Sequence, residues 1–434
     1  MNELLSIGMM LKSEIGGATC VVERFLGGGG QGEVYQARMN GNSVALKWYF
    51  PHNATPQQQK IIKKLITIGP PDDRFLWPMD IMKADNVSGY GYVMLLRPPA
   101  YKSIVDLMKG RIDPTFSALA TAGYQLADSF LKIHSKGLCY RDISFGNVFF
   151  DPANGNVLIC DNDNVAVNGQ SQSGVLGTPR FMAPEIVRGE KPPSSATDLF
   201  SLSVLLFYMF VLHHPLEGAK EASIRCMDVP AMNQLYGSDP IFIYDPNDVS
   251  NRPVPGYQDN AIKIWPILPE FLKAKFTQAF TKGLNDHTAN YRVKESEWRV
   301  TMLQLRDSIF YCAHCGAENF YDDGKQNNCW KCKEQLQIPV RLHVGHNDIM
   351  LNFNTKLYPH HVNKDKPNDF SEPVAEMVQH PSKPNIWGLK NIGNEKWVCT
   401  YTSGEVNDVE PGRSVSIVNG MRISFGNQNG EICA

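Results

Sequence analysis

No long apolar run occurs in this sequence. The most hydrophobic stretch, Leu199 to Leu212, holds 14 residues and includes Ser201 and Ser203. It is too short to cross a bilayer and fits a buried helix better. Neither charge is in surplus: 42 Lys and Arg stand against 44 Asp and Glu, a net charge of −2. That balance argues against a dedicated nucleic-acid binder, which would carry a basic excess. Met1 to Met10 lacks the basic start and apolar segment of a secretory leader. Without such a leader, the 10 cysteines point to a reducing compartment rather than a disulfide framework. The expectation is a cytoplasmic protein with no membrane and no nucleic-acid partner. Internal repeats and low-complexity tracts are lacking too.

What is present is globular. The 434 residues are 43% hydrophobic and 20% charged, enough for about three domains. Strand-like text fills Cys20 to Leu26, Gly32 to Met39 and Ser43 to Phe50, with Asn40-Gly41 predicting a hairpin turn. Another strand is expected at Gly91 to Leu96. Apolar spacings of three and four predict a helix along Phe116, Leu119, Leu126, Phe130 and Ile133. Further helices are expected at Asp198 to Leu212, Pro269 to Leu284 and Ser296 to Phe310, around a Pro- and Asp-rich irregular stretch from Glu217 to Trp265. Beyond Ile338 short alternating runs separated by Asn, Gly and Pro read as all-β.

The chemistry begins at Gly27 to Val34, which contains G-x-G-x-x-G-x-V on Gly27, Gly29 and Gly32. Glycines let backbone approach phosphate oxygens that a Cβ would hold away. Alone the motif is weak. It gains weight from Val44-Ala45-Leu46-Lys47, where Lys47 follows Gly32 by 15 residues and can reach the α- and β-phosphates of a nucleotide. Next, Arg141-Asp142-Ile143-Ser144-Phe145-Gly146-Asn147 gives R-D-x-x-x-x-N, and Asp161 follows Asp142 by 19 residues. Phosphoryl transfer uses one carboxylate to orient the attacking hydroxyl, with another carboxylate and an amide oxygen on magnesium. Asp142, Asp161 and Asn147 supply that set. Gly177-Thr178-Pro179 to Ala183-Pro184-Glu185 completes the order.

Over roughly 15–308 the chain resembles the eukaryotic-type Ser/Thr protein kinase family. The resemblance implies ATP and Mg2+ as cofactors and a protein as substrate. It implies that Val34 and Ala45 cover the adenine ring while Met94 to Arg97, with Leu95 and Leu96, form the hinge between lobes. Asp198 looks like the aspartate that braces the catalytic loop, and Arg292 like the partner of Glu185 in a buried ion pair. Thr178 would support Asp142, and Arg141 would grip a phosphorylated activation loop, with Ser171 and Ser173 as candidate phosphosites.

Four departures bear on activity. No Glu lies between Trp48 and Ile81 to pair with Lys47; Gln57, Gln58 or Gln59 could touch the lysine without charge. The family's D-F-G reads Asp161-Asn162-Asp163, and Tyr140 stands where a histidine is usual, so a larger aromatic at 140 could offset the phenylalanine lost at 162. Ser144 replaces a lysine and cannot neutralise developing γ-phosphate charge. Asp163 reads as a turn residue or as an extra carboxylate that alters metal affinity.

Cys312-x-x-Cys315 and Cys329-x-x-Cys332, with 13 residues between the pairs, can place four thiolates around structural zinc. Gly316 allows the knuckle turn, and His314 reads as an exposed spacer. Redox disulfides or unpaired thiols are the alternatives. Residues 310–337 resemble a zinc ribbon. The closing run Ser414 to Gly426, turning at Asn419-Gly420, looks similar to the final hairpin of forkhead-associated β-sandwich domains, with Trp387 on the preceding strand. The phosphothreonine-reading Ser-x-x-His is not found there.

The expected architecture is α+β: a bilobal protein kinase fold at 1–309 (N-lobe 1–96, C-lobe 97–309), a zinc ribbon at 310–337 and an all-β sandwich at 338–434. The combination resembles the bacterial kinase that accompanies a PP2C-type phosphatase and a von Willebrand A-type protein in tellurite resistance, which implies those two partners. The rival functions are a nucleotide-binding pseudokinase scaffold and a small-molecule phosphotransferase.

Overall fold

The computed structural model describes residues 4–169, 176–285, 290–322 and 328–434. Ser171 and Ser173 lie outside the described residues. The chain divides into two compact units, Met1–Trp265 with Ala274–Val300, and Pro266–Lys273 with Thr301–Ala434. Among the described residues no helix is long and apolar enough to cross a membrane.

The first unit opens with six strands, β1 Met10–Ser13, β2 Thr19–Gly28, β3 Gly32–Met39, β4 Asn42–Tyr49, β5 Asp80–Lys83 and β6 Gly91–Leu95, closed into a barrel in the order β1-β2-β3-β4-β6-β5. Asn40 and Gly41 both take positive φ (51° and 81°), the backbone a tight hairpin between β3 and β4 needs. Leu11, Val22, Tyr35, Leu46, Trp48 and Val93 fill the barrel. Helix α1, Pro56–Ile68, begins at Thr55, whose side chain accepts the N–H of Gln58, and buries only Ile62 and Leu65. Its Leu65 carbonyl accepts the Trp77 indole N–H at 2.8 Å.

The second half of this unit is helical. Phe116–Ser135 is capped by Thr115, and Ser195–Val211 starts with a Ser194/Thr197 capping box and is buried from Thr197 to Val211. A helix apolar all round must be enclosed, and Phe207 meets the rings of Phe242, Phe276 and Phe280. The stretch from Glu217 to Trp265 is less irregular than its composition predicts. It holds short helices at Ala219–Ala222, Val229–Asn233 and Asp259–Ile264, tied by the buried Asn251 amide to the carbonyls of Leu216 and Ile241.

Two small antiparallel ladders position the cleft loops. Leu138–Cys139 pairs with Ala166–Val167, and Val148–Phe150 pairs with Val157–Ile159. Residues 140–147 and 160–165 therefore leave and re-enter the same pair of ladders.

In the second unit, hairpin Ile309–Tyr311/Glu318–Phe320 carries the first cysteine pair. Two antiparallel sheets, of six and four strands, share a core that includes Leu342, Ile349, Leu389, Trp397, Ile423 and Ile432. The expected hairpin across Asn419-Gly420 does not form. Ser414–Ser416 pairs with Lys383–Asn391 in one sheet, while Arg422–Ser424 pairs with Trp397–Thr400 and Asn429–Cys433 in the other. Only Gly420 takes positive φ, whereas a type I′ turn needs it at both central residues. The chain crosses between sheets instead.

Candidate active site

The loop 140–147 holds Asp142 by neutral donors. Thr178 donates its hydroxyl to Asp142 Oδ1 at 2.8 Å. The Asn147 amide donates to the Asp142 carbonyl at 2.8 Å and to Oδ2 at 3.1 Å. Beneath the loop, Asp198 accepts the backbone N–H groups of Tyr140 (2.6 Å) and Arg141 (3.0 Å). Those bonds hold Arg141 at φ 77°, a conformation that costs a non-glycine residue energy and persists only where surrounding contacts fix it. Arg292 and Glu185 form a buried ion pair at 2.7 Å, and the same guanidinium donates to the Ala196 carbonyl.

Two contributors here had no role in the sequence motifs. Phe145 packs edge-on against Phe181 (4.7 Å) and Tyr208 (4.5 Å), fastening the loop to helix Ser195–Val211. His134 contacts Asp198 through Nε2 at 3.1 Å and Glu295 through Nδ1. Burial opposes its charge, but hydrogen bonds to the two carboxylates outweigh that and push its pKa up to about 9. Position 134 is the last turn of Phe116–Ser135; a histidine there gives no sequence signal of a charged partner.

On the opposite side, β4 presents Lys47. Its ammonium donates to Gln31 Oε1 (2.9 Å), Asp161 Oδ1 (3.1 Å) and both oxygens of Asp163 (2.9 and 3.1 Å). The side chain of Lys47 is 5% exposed and that of Asp163 0%. Asp163 does sit in a turn, Asn162–Asn164, but its carboxylate is also a buried partner of Lys47. Tyr49, two residues along β4, donates its hydroxyl to the same carboxylate. Burial works against the Lys47 charge, yet Asp163 and then Asp161 hold its pKa above the usual lysine range. Asp161 is displaced upward: burial raises it, Lys47 pulls it down and the neighbouring Asp163 raises it again.

The helix glutamines do not touch the lysine. Gln58 donates instead to the Asp163 carbonyl at 3.1 Å and to the Tyr49 hydroxyl at 3.4 Å, because the ammonium's donors are spent on Gln31, Asp161 and Asp163. Nor is the lost phenylalanine replaced by apolar volume. Asn162 is fully buried and donates to the carbonyls of Leu76 (2.9 Å) and Ile159 (3.0 Å). The Tyr140 ring packs against Phe130 and its hydroxyl donates to the Cys160 carbonyl.

The nucleotide candidates lie on or beside β2, β3, β4 and β6. Gly27 and Gly29 face open space, whereas a Cβ on Gly32 would meet the Trp48 carbonyl oxygen at 2.2 Å. Gly32 thus permits β3 to run close against β4, and the other two leave room for a ligand. Val34 pairs with Lys47 across β3–β4, and Ala45 with Met94 across β4–β6. Ala45 is buried, Val34 and Leu96 half-buried and Leu95 exposed. For magnesium, the donor set fits. The Asn147 side-chain nitrogen is committed to Asp142, leaving Oδ1 as acceptor, while its main-chain carbonyl accepts the Cys160 N–H at 2.8 Å. Asp161 is one-third exposed, at αL φ 52°. Two carboxylates share one ammonium, so a cation would relieve the excess charge.

Elsewhere, the sulfurs of Cys312, Cys315, Cys329 and Cys332 lie within 4.8 Å of one another. Cys312–Cys332 and Cys315–Cys329 are each 3.7 Å apart. A tetrahedron with metal–sulfur bonds of ~2.3 Å has edges of about 3.8 Å, so the thiols fit such an ion and are too far apart for disulfides. Gly316 (φ 70°) and Lys333 (φ 68°) make the two knuckle turns. His314 is exposed. Backbone N–H groups of Cys332 and Lys331 overcome burial and bring Cys329 down to about 6.

A strand lysine, a glycine-rich hairpin and an Asp–Asn–Asp set thus stand together in the first unit, the residue types that phosphoryl transfer uses. The family model "Protein kinase domain" matches residues 20–264, more than half of the chain, and the chain belongs to that family. It is similar to "Protein kinase gsk3" of Schizosaccharomyces pombe, 27% identical over 131 residues (30% of this chain, 34% of that protein). It also resembles mouse "Protein kinase C delta type", 38% identical over 93 residues (20% of this chain, 13% of that protein). "Cell cycle serine/threonine-protein kinase CDC5/MSD2" of Saccharomyces cerevisiae is 28% identical over 134 residues (29% of this chain, 19% of that protein). The chain thus spans about a third or less of the length of these relatives.

Proposed function

We propose that the chain is a protein serine/threonine kinase, transferring the γ-phosphate of ATP to a Ser or Thr hydroxyl of a protein, itself included. The carrying observation is Asp142 fixed by Thr178 and Asn147, with Lys47 and Asp161 ion-paired across the cleft, inside a kinase-family match. Asp142 would accept a hydrogen bond from the substrate hydroxyl and orient it for in-line attack. Lys47 would hold the α- and β-phosphates under the Gly27–Gly32 loop, with Val34 and Ala45 over the adenine and Leu95 and Leu96 at the hinge. Asp161 and Asn147 would hold Mg2+, which supplies charge neutralisation at the phosphates when bound. Ser144 offers no cation to the γ-phosphate, so turnover would be slow. The Gly177–Glu185 segment, seated through Thr178 and the Glu185–Arg292 pair, favours a protein over a small-molecule acceptor.

The proposal extends to structural zinc on Cys312, Cys315, Cys329 and Cys332, supported by the sulfur spacing, and to a ribbon at 310–337 ahead of the sandwich. A cytoplasmic location rests on reading the cysteines as reduced thiols, and the PP2C-type phosphatase and von Willebrand A-type protein as partners rest on the family resemblance alone. Intact mass after incubation with Mg-ATP tests the central reading. Additions of phosphate to wild type and none to Asp142→Asn are expected. ATP binding without additions to the protein or to protein acceptors would replace the reading with a scaffold.

A further inference from the structure

The anchor of Lys47 sits on an unexpected side of the cleft. Helix α1 contains no acidic residue at all and carries Lys60, Lys63 and Lys64. What α1 gives the site is one neutral amide, Gln58, and that amide holds a backbone carbonyl. The charge comes from Asp163, in the three-residue turn Asn162–Asn164 that directly follows the metal-binding candidate Asp161. Both Asp163 oxygens contact the ammonium, and the Tyr49 hydroxyl on one of them keeps the carboxylate from turning away. Tyr49 is itself wedged against Tyr90 (5.3 Å) and Tyr92 (6.0 Å). Gln31, from the glycine-rich loop, completes the enclosure: it accepts from Lys47 and donates to Asn164 at 3.0 Å.

We propose that Asp163 is the positioning residue for Lys47, so that the lysine's orientation is set by the 161–164 turn and the glycine-rich loop, and not by an acidic residue on α1. The inference rests on the kinase reading of this cleft and specifies its regulation. A displacement of α1 reaches the lysine only through the Gln58 bonds to the Asp163 carbonyl and the Tyr49 hydroxyl; a displacement of the 161–164 turn removes the lysine's anion and shifts the metal-binding candidate Asp161 with it. Switching therefore acts through the segment that follows Cys160.

The test uses the full chain and relocates the charge. Wild type, Asp163→Asn, Gln58→Glu and the double variant are compared for kcat and KM with Mg-ATP, for affinity toward a fluorescent ADP analogue, and for the rate at which an acyl-phosphate nucleotide probe labels Lys47. Thermal melts control for folding. Asp163→Asn is expected to lose about 10- to 100-fold in kcat/KM, the scale of a misplaced reactive group, with slower Lys47 labelling. Adding Gln58→Glu to Asp163→Asn is expected to recover about tenfold, while Gln58→Glu alone gains nothing. A folded Asp163→Asn protein within twofold of wild type in labelling and affinity would overturn the proposal. Should Asp163→Asn not fold, Gln58→Ala decides: a loss under about threefold supports anchoring from the turn, and a loss of about tenfold or more assigns it to the helix. Absence of phosphate transfer by wild type sinks the kinase reading alone, since affinity and labelling still report on the anchor.

Discussion

The two sides of the cleft are held by different physics. Around Asp142 the carboxylate meets a hydroxyl and an amide, from Thr178 and Asn147, and the loop backbone hangs on Asp198. Around Lys47 charge meets charge, one ammonium against two carboxylates. Hydrogen bonds demand particular atoms at particular angles, so the first arrangement needs the same residue types at the same spacing. An ion pair demands a charge within a few ångströms, and the element that brings it is free to change. The carboxylate that α1 lacks arrives 116 positions after Lys47.

The comparison can be broken at four places. Asp142→Asn is expected to lower kcat about 10²- to 10⁴-fold with little change in stability, read by steady-state kinetics beside a thermal melt. Lys47→Met, by contrast, leaves a fully buried Asp163 without its counter-ion and should cost about 3–5 kcal/mol, read by urea unfolding; a cost below about 1 kcal/mol would mean that the Lys47 side is not ionic. His134 is a third case, with a folded pKa of about 9 against about 6.5 unfolded. Because the folded value is raised, its stabilisation is complete below about pH 6.5 and is lost as pH rises through 9. The shift corresponds to about 3 kcal/mol, and His134→Gln should flatten the unfolding free energy across that window. The smallest effect on the cleft is expected from chelation. One zinc per chain should be released, with a change in Trp330 emission, because its indole N–H bonds the Glu318 carbonyl between the cysteine pairs.

Much of this was legible before the fold. The Asn40-Gly41 turn, the strands flanking it and the buried helix through Leu199–Leu212 follow from local backbone chemistry and periodicity. Asp142, Asn147 and Asp161 follow from spacing. Asp163 was not legible: beside Asp161 and Asn162 an aspartate looks like turn chemistry, and only burial against Tyr49 and Lys47 makes it an anchor. His134 and Phe145 were missed because their partners, Glu295 and Tyr208, are distant in the chain. The crossing at 417–421 was misread for the opposite reason. Local turn residues outvoted the pairing with Trp397–Thr400, which no local pattern announces.

The most direct test is a double-mutant cycle on Lys47→Met and Asp163→Asn, followed by urea unfolding. Anchoring of the lysine by Asp163 predicts a coupling free energy of about 2–3 kcal/mol, with the double variant more stable than the two single losses would sum to. Losses that add to within about 0.5 kcal/mol would contradict it, and would leave Lys47 held by Gln31 and Asp161 alone.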